Sequence, residues 1–170
     1  THVGSHRGEG FEAGASRVAD AVARAADRGC RTLEGVAAGS RLPLPSLLLE
    51  TSAGGGHSLG RSPAELGRLV GDLAGAGVRV GVCLDTAHLF GAGYLIQRAE
   101  GLAEFLQELE GALGSAAIGL VHLNDSSAAL GSRADRHENL WEGRIGREGL
   151  RGWVCHPVLR RVPFVLEVPG

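Results

Sequence analysis

Residues 119–143 read GLVHLNDSSAALGSRADRHENLWEG. An apolar run, Ile118 to Val121, reads as a strand and delivers His122 directly after it. Thirteen residues on comes Asp135, then His137. Imidazole nitrogen and carboxylate oxygen both suit zinc, iron or manganese. In an extended segment alternate side chains share a face, so Asp135 and His137 can point at one ion. Alone, the stretch also reads as a polar loop with two incidental histidines. The rest of the chain decides between the two.

Working outward, the same grammar recurs. Leu47 to Leu49 is a short apolar run followed by Glu50. Val78 to Leu84 is a buried strand followed by Asp85, and Pro163 to Leu166 is a last strand followed by Glu167. Helical patterns separate these runs. Phe11 to Cys30 has Val18, Val22 and Ala25 at three- and four-residue steps. Ser62, Pro63 and Glu65 form an N-cap, a first helical position and a capping box for a helix to about Ala74. Ala99 to Leu113 carries an apolar stripe of Leu102, Phe105, Leu106, Leu109 and Leu113. Arg147 to Leu159 is partly helical, with Leu150 and Val154 inward. Residues 31–45 read as irregular because of Pro43 and Pro45, and residues 1–10, 51–62 and 123–146 as loops. Strand and helix in alternation predict an α/β fold with a parallel sheet.

In such folds chemistry collects at the carboxyl ends of the strands. Glu50, Asp85, His122 and Glu167 occupy four such ends, and His2 is a fifth candidate if a strand leads into it. The steps are 48, 35, 37 and 45 residues, one βα unit each. A strand-ending carboxylate is usually just solvated; four potential ligands in succession are hard to explain by packing. His88 follows Asp85 by three, and Asp135 and His137 follow His122 within one connection. Eight candidates exceed the four ligands of one zinc, so two or three ions fit better, with a carboxylate bridging a pair. Clustered divalent ions of this kind serve phosphate-ester hydrolysis. Arg133 and Arg136 flank Asp135 as forked donors for phosphate oxygens, with surface solvation as the alternative. His57 reads as solvent-exposed, His156 as structural, His6 as a group behind the ligands, and Cys83 as core.

Composition sets bounds. The 170 residues suffice for one domain with a real core. Seventeen basic residues, all Arg, face 19 acidic ones, which argues against nucleic-acid binding by bulk charge. Twenty-eight glycines beside many Ala and Arg suggest a coding bias rather than disorder. Cys30, Cys83 and Cys155 make neither a disulfide framework nor a paired-cysteine zinc site, and imply a reducing compartment. No apolar run reaches the ~18 residues of a membrane span, and no signal peptide is visible. The chain has no Met and begins within a polar motif, so a piece of a longer protein is expected.

LLLETSAGGG, VGVCLDTAHLFGAGY, VHLNDS followed by GSRADRHENLWEGRIG, and FVLE together resemble the endonuclease IV family of apurinic/apyrimidinic endonucleases, and the opening HVGSH is similar to that family's HPGSH. The resemblance covers essentially the whole chain. It implies a (β/α)8 TIM barrel, of which residues 1–170, one domain, supply about the C-terminal five βα units. It implies three zinc ions at the carboxyl end and cleavage of double-stranded DNA 5′ to abasic sites in base excision repair, leaving a 3′-hydroxyl. His2 and Glu50 would then serve one zinc. Glu50 would bridge to a second, also held by Asp85, His122 and Glu167. His88, Asp135 and His137 would hold the third. Glu50 and Glu167 are the expected catalytic groups, Glu167 orienting or activating the attacking water, and Arg136 and Asn124 are placed on the substrate phosphate. A monomeric, cytoplasmic or nucleoid-associated protein, neither secreted nor membrane-bound, follows. Three missing units amount to about 100–120 residues, including a further His ligand and DNA-probing loops, so little activity is expected of these 170 residues alone. Gly55 stands where the family usually has Gln, HVGSH lacks the Pro, and Trp141 replaces a small residue; these departures fall on DNA contacts rather than on ligands. A metal-dependent sugar isomerase or epimerase of related fold, or a non-catalytic truncated product, are the alternatives.

Overall fold

The computed structural model describes residues 1–36, 46–114 and 118–169. Four strands make one parallel sheet in the order β1 (Leu48–Glu50), β2 (Gly81–Asp85), β3 (Ile118–His122), β6 (Phe164–Val165). His2 makes an isolated parallel bridge to Glu50, so a fifth strand position lies beside β1. Helices α1 (Phe11–Val36), α2 (Pro63–Gly75), α4 (Ala99–Leu113) and α5 (Gly146–Cys155) pack in series, α1 on α2, α2 on α4, α4 on α5. Parallel strands joined by helices in sequential contact form an arc of a (β/α)8 barrel.

Alternation along the strands divides the residues between two faces. Leu49, Val82, Leu84 and Val121 turn to the helix layer and are fully buried. They meet Leu66, Leu69 and Leu73 of α2 and the predicted Leu102–Leu113 stripe of α4 in one core. The opposite face carries Glu50, Cys83, Asp85 and His122, with Glu50 beside Cys83 and Asp85 beside His122 in register. The packing thus pushes every strand-end polar residue to one side of one rim.

Several boundaries differ from the sequence reading. α1 continues past Cys30 to Val36, where no breaker interrupts it. Residues 37–45, with both prolines expected to break structure, lie outside the described residues. On α1 Val18 is buried but Ala25 is exposed. β2 begins at Gly81 rather than Val78, because the Val78 N–H bonds back to the Leu73 carbonyl and finishes the α2 turn. A short helix, α3 (Thr86–Ala92), follows β2 directly, in agreement with a sequence that reads there as a loop or short helical turn. The connection after β3 is not a plain loop: β4 (Asp125–Ser126) and β5 (His137–Glu138) pair antiparallel within it. On α5 the buried stripe is Gly149, Leu150 and Trp153, and Val154 faces solvent, 50% exposed. A 3₁₀ turn (Pro157–Leu159) closes that unit. Among the described residues no helix is long and apolar enough to cross a membrane.

α2 lies tight against α4 at Gly67, where an added Cβ would overlap the Ala112 carbonyl. Gly67→Ala is therefore expected to lose about 1–3 kcal/mol, the usual range for an overpacked contact, read as a lower urea midpoint with unchanged slope.

Candidate metal centre

Glu50 sits where three histidines meet. Its Oε1 lies 3.0 Å from His122 Nδ1 and 3.7 Å from His88 Nδ1, and its Oε2 lies 3.6 Å from His2 Nε2. Glu167 Oε2 reaches the same His122 nitrogen at 3.0 Å, and Asp85 Oδ2 approaches it at 3.7 Å. Glu50, Asp85, His122 and Glu167 can therefore each offer one donor atom, all within 4.8 Å of one another. His2, Glu50 and His88 form a second such group, and Asp85, His88 and His137 a third. Asp135 closes the outer side: its Oδ2 is 3.0 Å from His88 Nε2 and its Oδ1 is 3.2 Å from His137 Nε2. All eight ligand candidates named from the sequence thus converge on one rim of the sheet. Glu50, Asp85 and His88 are buried, His122 and His137 half-buried, and His2, Asp135 and Glu167 exposed.

Short elements position these groups. Asp85 ends β2 and caps α3, accepting the His88 N–H at 2.8 Å, which fixes the spacing between two ligand candidates. Thr51 receives the Asp85 N–H on Oγ1, and its carbonyl lies 2.8 Å from His88 Nδ1. His137 Nδ1 lies 2.9 Å from the Glu167 carbonyl. A backbone carbonyl only accepts, so both Nδ1 atoms carry the proton and both Nε2 lone pairs face the cluster. That arrangement orients a metal-bound imidazole.

The residues fit a cation. His137 Nε2 is buried and has no hydrogen-bond partner, although it lies between oxygens of Asp85, at 3.7 Å, and Asp135. A lone pair aimed at anions without a proton to share lacks only a cation among them. Burial raises the Asp85 carboxyl above its usual range, despite opposing help from His88, His137 and Asn124. Burial alone would lower His88, but the charges of Asp85, Asp135 and Glu50 outweigh it and raise the imidazole. A bound cation would relieve both tensions.

Other expectations come out differently. Asn124, placed on the substrate phosphate from the sequence, is fully buried and already committed. Its Nδ2 donates to Asp85 Oδ2 at 2.7 Å and to Glu167 Oε2 at 3.3 Å, while its Oδ1 accepts the Glu167 N–H at 2.8 Å. It aligns two ligand candidates and has no free polar atom for a phosphate. Arg136 is exposed and, with Arg133, His2, His88 and Asp135, lines a cavity of about 440 Å³ beside the cluster. Cys83 lies under the cluster, its thiol pushed up to about 12 by burial, with Glu50 and Asp85 adding to the effect. His6 stacks edge-on against exposed His57 at 4.8 Å and accepts from Gly8 and Gly10 on Nδ1, which gives it a place in its own loop rather than behind the ligands.

Sequence reasoning missed Asp125. It is fully buried, and its carboxylate accepts N–H groups from Ser126, Gly143, Ile145 and Gly146. Gly143 has no room for a side chain because its Cβ would overlap that carboxylate. The only sequence signal was an acidic residue directly after the buried Asn124, with a glycine pair 18 and 21 residues on.

The model of the xylose isomerase-like TIM barrel family matches residues 1–170. The chain is 43% identical to the probable endonuclease 4 of Methanoculleus marisnigri over 99% of its length and 56% of the relative's. It is 42% identical to that of Chloroflexus aurantiacus, covering 99% of this chain and 55% of the other. The crystal structure of endonuclease IV from Thermus thermophilus superposes with a TM-score of 0.73 at 38% identity, over 99% of this chain and 54% of that one. The chain spans about half the length of the relatives it matches. A parallel arc with a His/Asp/Glu cluster at its carboxyl rim, a family model matched end to end and these endonuclease relatives lead to one assignment: the chain belongs to the xylose isomerase-like TIM barrel family and groups within it with the endonuclease IV proteins.

Proposed function

We propose that residues 1–170 form one domain of a zinc-dependent endonuclease that hydrolyses the DNA phosphodiester bond 5′ to abasic sites in base excision repair, leaving a 3′-hydroxyl. The observation that carries the reading is the convergence of Glu50, Asp85, His122 and Glu167 within 4.8 Å, beside a cavity lined by Arg133 and Arg136. A sugar isomerase of the same fold family typically uses one or two ions; here His88, Asp135 and His137 would supply a third position. Three ions are proposed: one on His2 and Glu50, one on Glu50, Asp85, His122 and Glu167, one on His88, Asp135 and His137. Bound divalent ions would supply Lewis acidity, lowering the pKa of water and opposing the charge of the phosphate.

The chain's own groups do the rest. Thr51 and Glu167 hold the His88 and His137 rings through their carbonyls, so no reorientation is needed when substrate arrives. The Asn124 amide bridges the Asp85 and Glu167 carboxylates, its Nδ2 donating to both. Glu167 is the most open of the inner carboxylates, 45% exposed, and is the group placed to orient water and take its proton. Arg136 extends beside the cavity, where a guanidinium meets phosphate oxygens in a fork. The partner is double-stranded DNA carrying an abasic site; the complete protein works as a monomer in the cytoplasm or at the nucleoid.

The test is incision of a duplex with one abasic site by the complete protein. Chelator-sensitive cutting on the 5′ side and about three zinc ions per chain are expected; one ion per chain with no cutting would transfer the assignment to an isomerase. These 170 residues alone are expected to cut little or not at all. Metal binding is also expected to show in stability. Saturation at a hundredfold excess over Kd adds about 2.7 kcal/mol, which for a protein of this size raises Tm by about 5–10 °C. A thermal melt with and without zinc measures it, and chelation reverses it.

A further inference from the structure

Trp141 stands where a side chain is least welcome. The Glu142 N–H bonds to the Asn139 carbonyl at 3.1 Å, closing a tight turn whose third residue is Trp141. Its φ is +76°, in the left-handed region that this turn position reserves for glycine. The indole stays out of the core: it is 53% exposed, while its neighbour Leu140 packs against the core. The turn is pinned from both sides. β5 pairs with β4 before it, and the Gly143 and Arg144 N–H groups bond to Asp125 and the Ser126 carbonyl after it. The chain thus holds a large aromatic ring out in solvent at a cost in backbone strain, a conflict that concentrates at functional sites.

A second strained residue mirrors it. Arg133 has φ +58°, is exposed, and lines the cavity beside the ligand cluster. Arg133 and Trp141 bracket the segment that carries Asp135 and His137. A cation on one flank and an aromatic face on the other suit a nucleic-acid strand: phosphate for the first, a nucleobase for the second. A protein or lipid partner would ask for further apolar surface, and at this turn Trp141 is the exposed large hydrophobic residue.

We propose that Trp141 is a nucleobase-stacking residue, gripping an unstacked base of the DNA strand next to the phosphate held at the cluster. The proposal rests on the nuclease reading above. Stacking tolerates any base, so Trp141 sets affinity and strand placement rather than sequence preference.

The experiment uses the complete zinc-loaded protein and a short duplex bearing a tetrahydrofuran abasic analogue with a phosphorothioate on its 5′ side, so that binding is read with the metal positions filled and cutting suppressed. Indole emission should be quenched on titration and the quenching lost in Trp141→Phe, which leaves buried Trp153 as the remaining tryptophan of this chain. Trp141→Gly should weaken binding about 5- to 100-fold, the range for one stacked base, while melting no lower than the parent because glycine relieves the turn. Trp141→Phe should restore most of the affinity. Unchanged affinity in Trp141→Gly, or an indole at 141 that acrylamide cannot reach in the free protein, overturns the proposal. If incision persists in either case, the nuclease reading stands without it. If the parent binds DNA with quenching but never cuts, the stacking proposal stands and the nuclease reading falls.

Discussion

Glu50→Gln is expected to empty two metal positions at once. The side chain is 6% exposed and lies within reach of His2, His88 and His122. It belongs to both the His2 group and the Asp85, His122 and Glu167 group, so it is the residue proposed to serve both positions. Glutamine keeps the shape and one carbonyl oxygen but loses the charge, and its NH2 group turns a donor toward atoms that a metal would need as neighbours. Changing a residue behind a ligand costs 10- to 100-fold in metal affinity; losing a bridging ligand should cost more than about 100-fold. In the complete protein, bound zinc should fall by about two ions per chain and incision should drop to background. Stability of the metal-free protein should move the other way. Glu50 adds a carboxylate to a buried cluster that already holds Asp85, so removing its charge should leave Tm unchanged or raise it by a few degrees, as when a functional site is traded for stability. Measuring metal content and melting together separates the two causes. A variant that keeps its zinc, or one that loses activity only because it melts early, would contradict the bridging role.

What the sequence revealed and what it hid have different physical origins. The convergence of the strand-end ligand candidates was legible because burial of Leu49, Leu84 and Val121 against the helices leaves each following polar residue at the rim. The start of α2 was legible because Ser62 caps it through the Glu65 N–H. Even there the side chain of Glu65 does not reach back to Ser62 but accepts from Gly60 and Arg61. Tertiary context hid the rest. β4 and β5 are two residues each, too short for alternation to register. Val154 shares the helical spacing of Leu150, yet Trp153, at the other helical step of three, enters the core instead. Asn124 looked available for a phosphate because its type suits one, and only the geometry shows both ends of its amide engaged. The strain at Trp141 is a backbone property, visible only in its φ of +76°.

Asp125 accounts for how the outer ligands stay in place, and its removal should be the most damaging single change outside the cluster. Its Oδ1 accepts from Ser126 at 2.8 Å, Ile145 at 3.0 Å and Gly146 at 3.2 Å. Its Oδ2 accepts from Gly143 at 3.2 Å and Gly146 at 3.3 Å. No cationic side chain is among these partners; the charge is met by backbone dipoles at the start of α5, whose own cap residue, Ile145, offers no side-chain bond. The carboxylate therefore joins the two ends of the excursion that carries Asp135 and His137. Asp125→Ala would strand four backbone N–H groups at a buried site. Each such group costs about 1–3 kcal/mol, and with partial relaxation and water entry a loss of about 3–5 kcal/mol is expected. For a chain of this length that lowers Tm by about 6–20 °C. Asp125→Asn is the finer probe. Its carbonyl can still serve Ser126 and Ile145, but its NH2 would face the Gly143 N–H, donor against donor. That end of the excursion should loosen while the fold persists. In the cobalt-substituted protein, absorption from the ion proposed on His88, Asp135 and His137 should then weaken before that from the ion proposed on Glu50, Asp85, His122 and Glu167. Equal loss at both positions would mean that Asp125 serves only stability, and no loss at either, with a parental Tm, would mean that the excursion is held by other contacts.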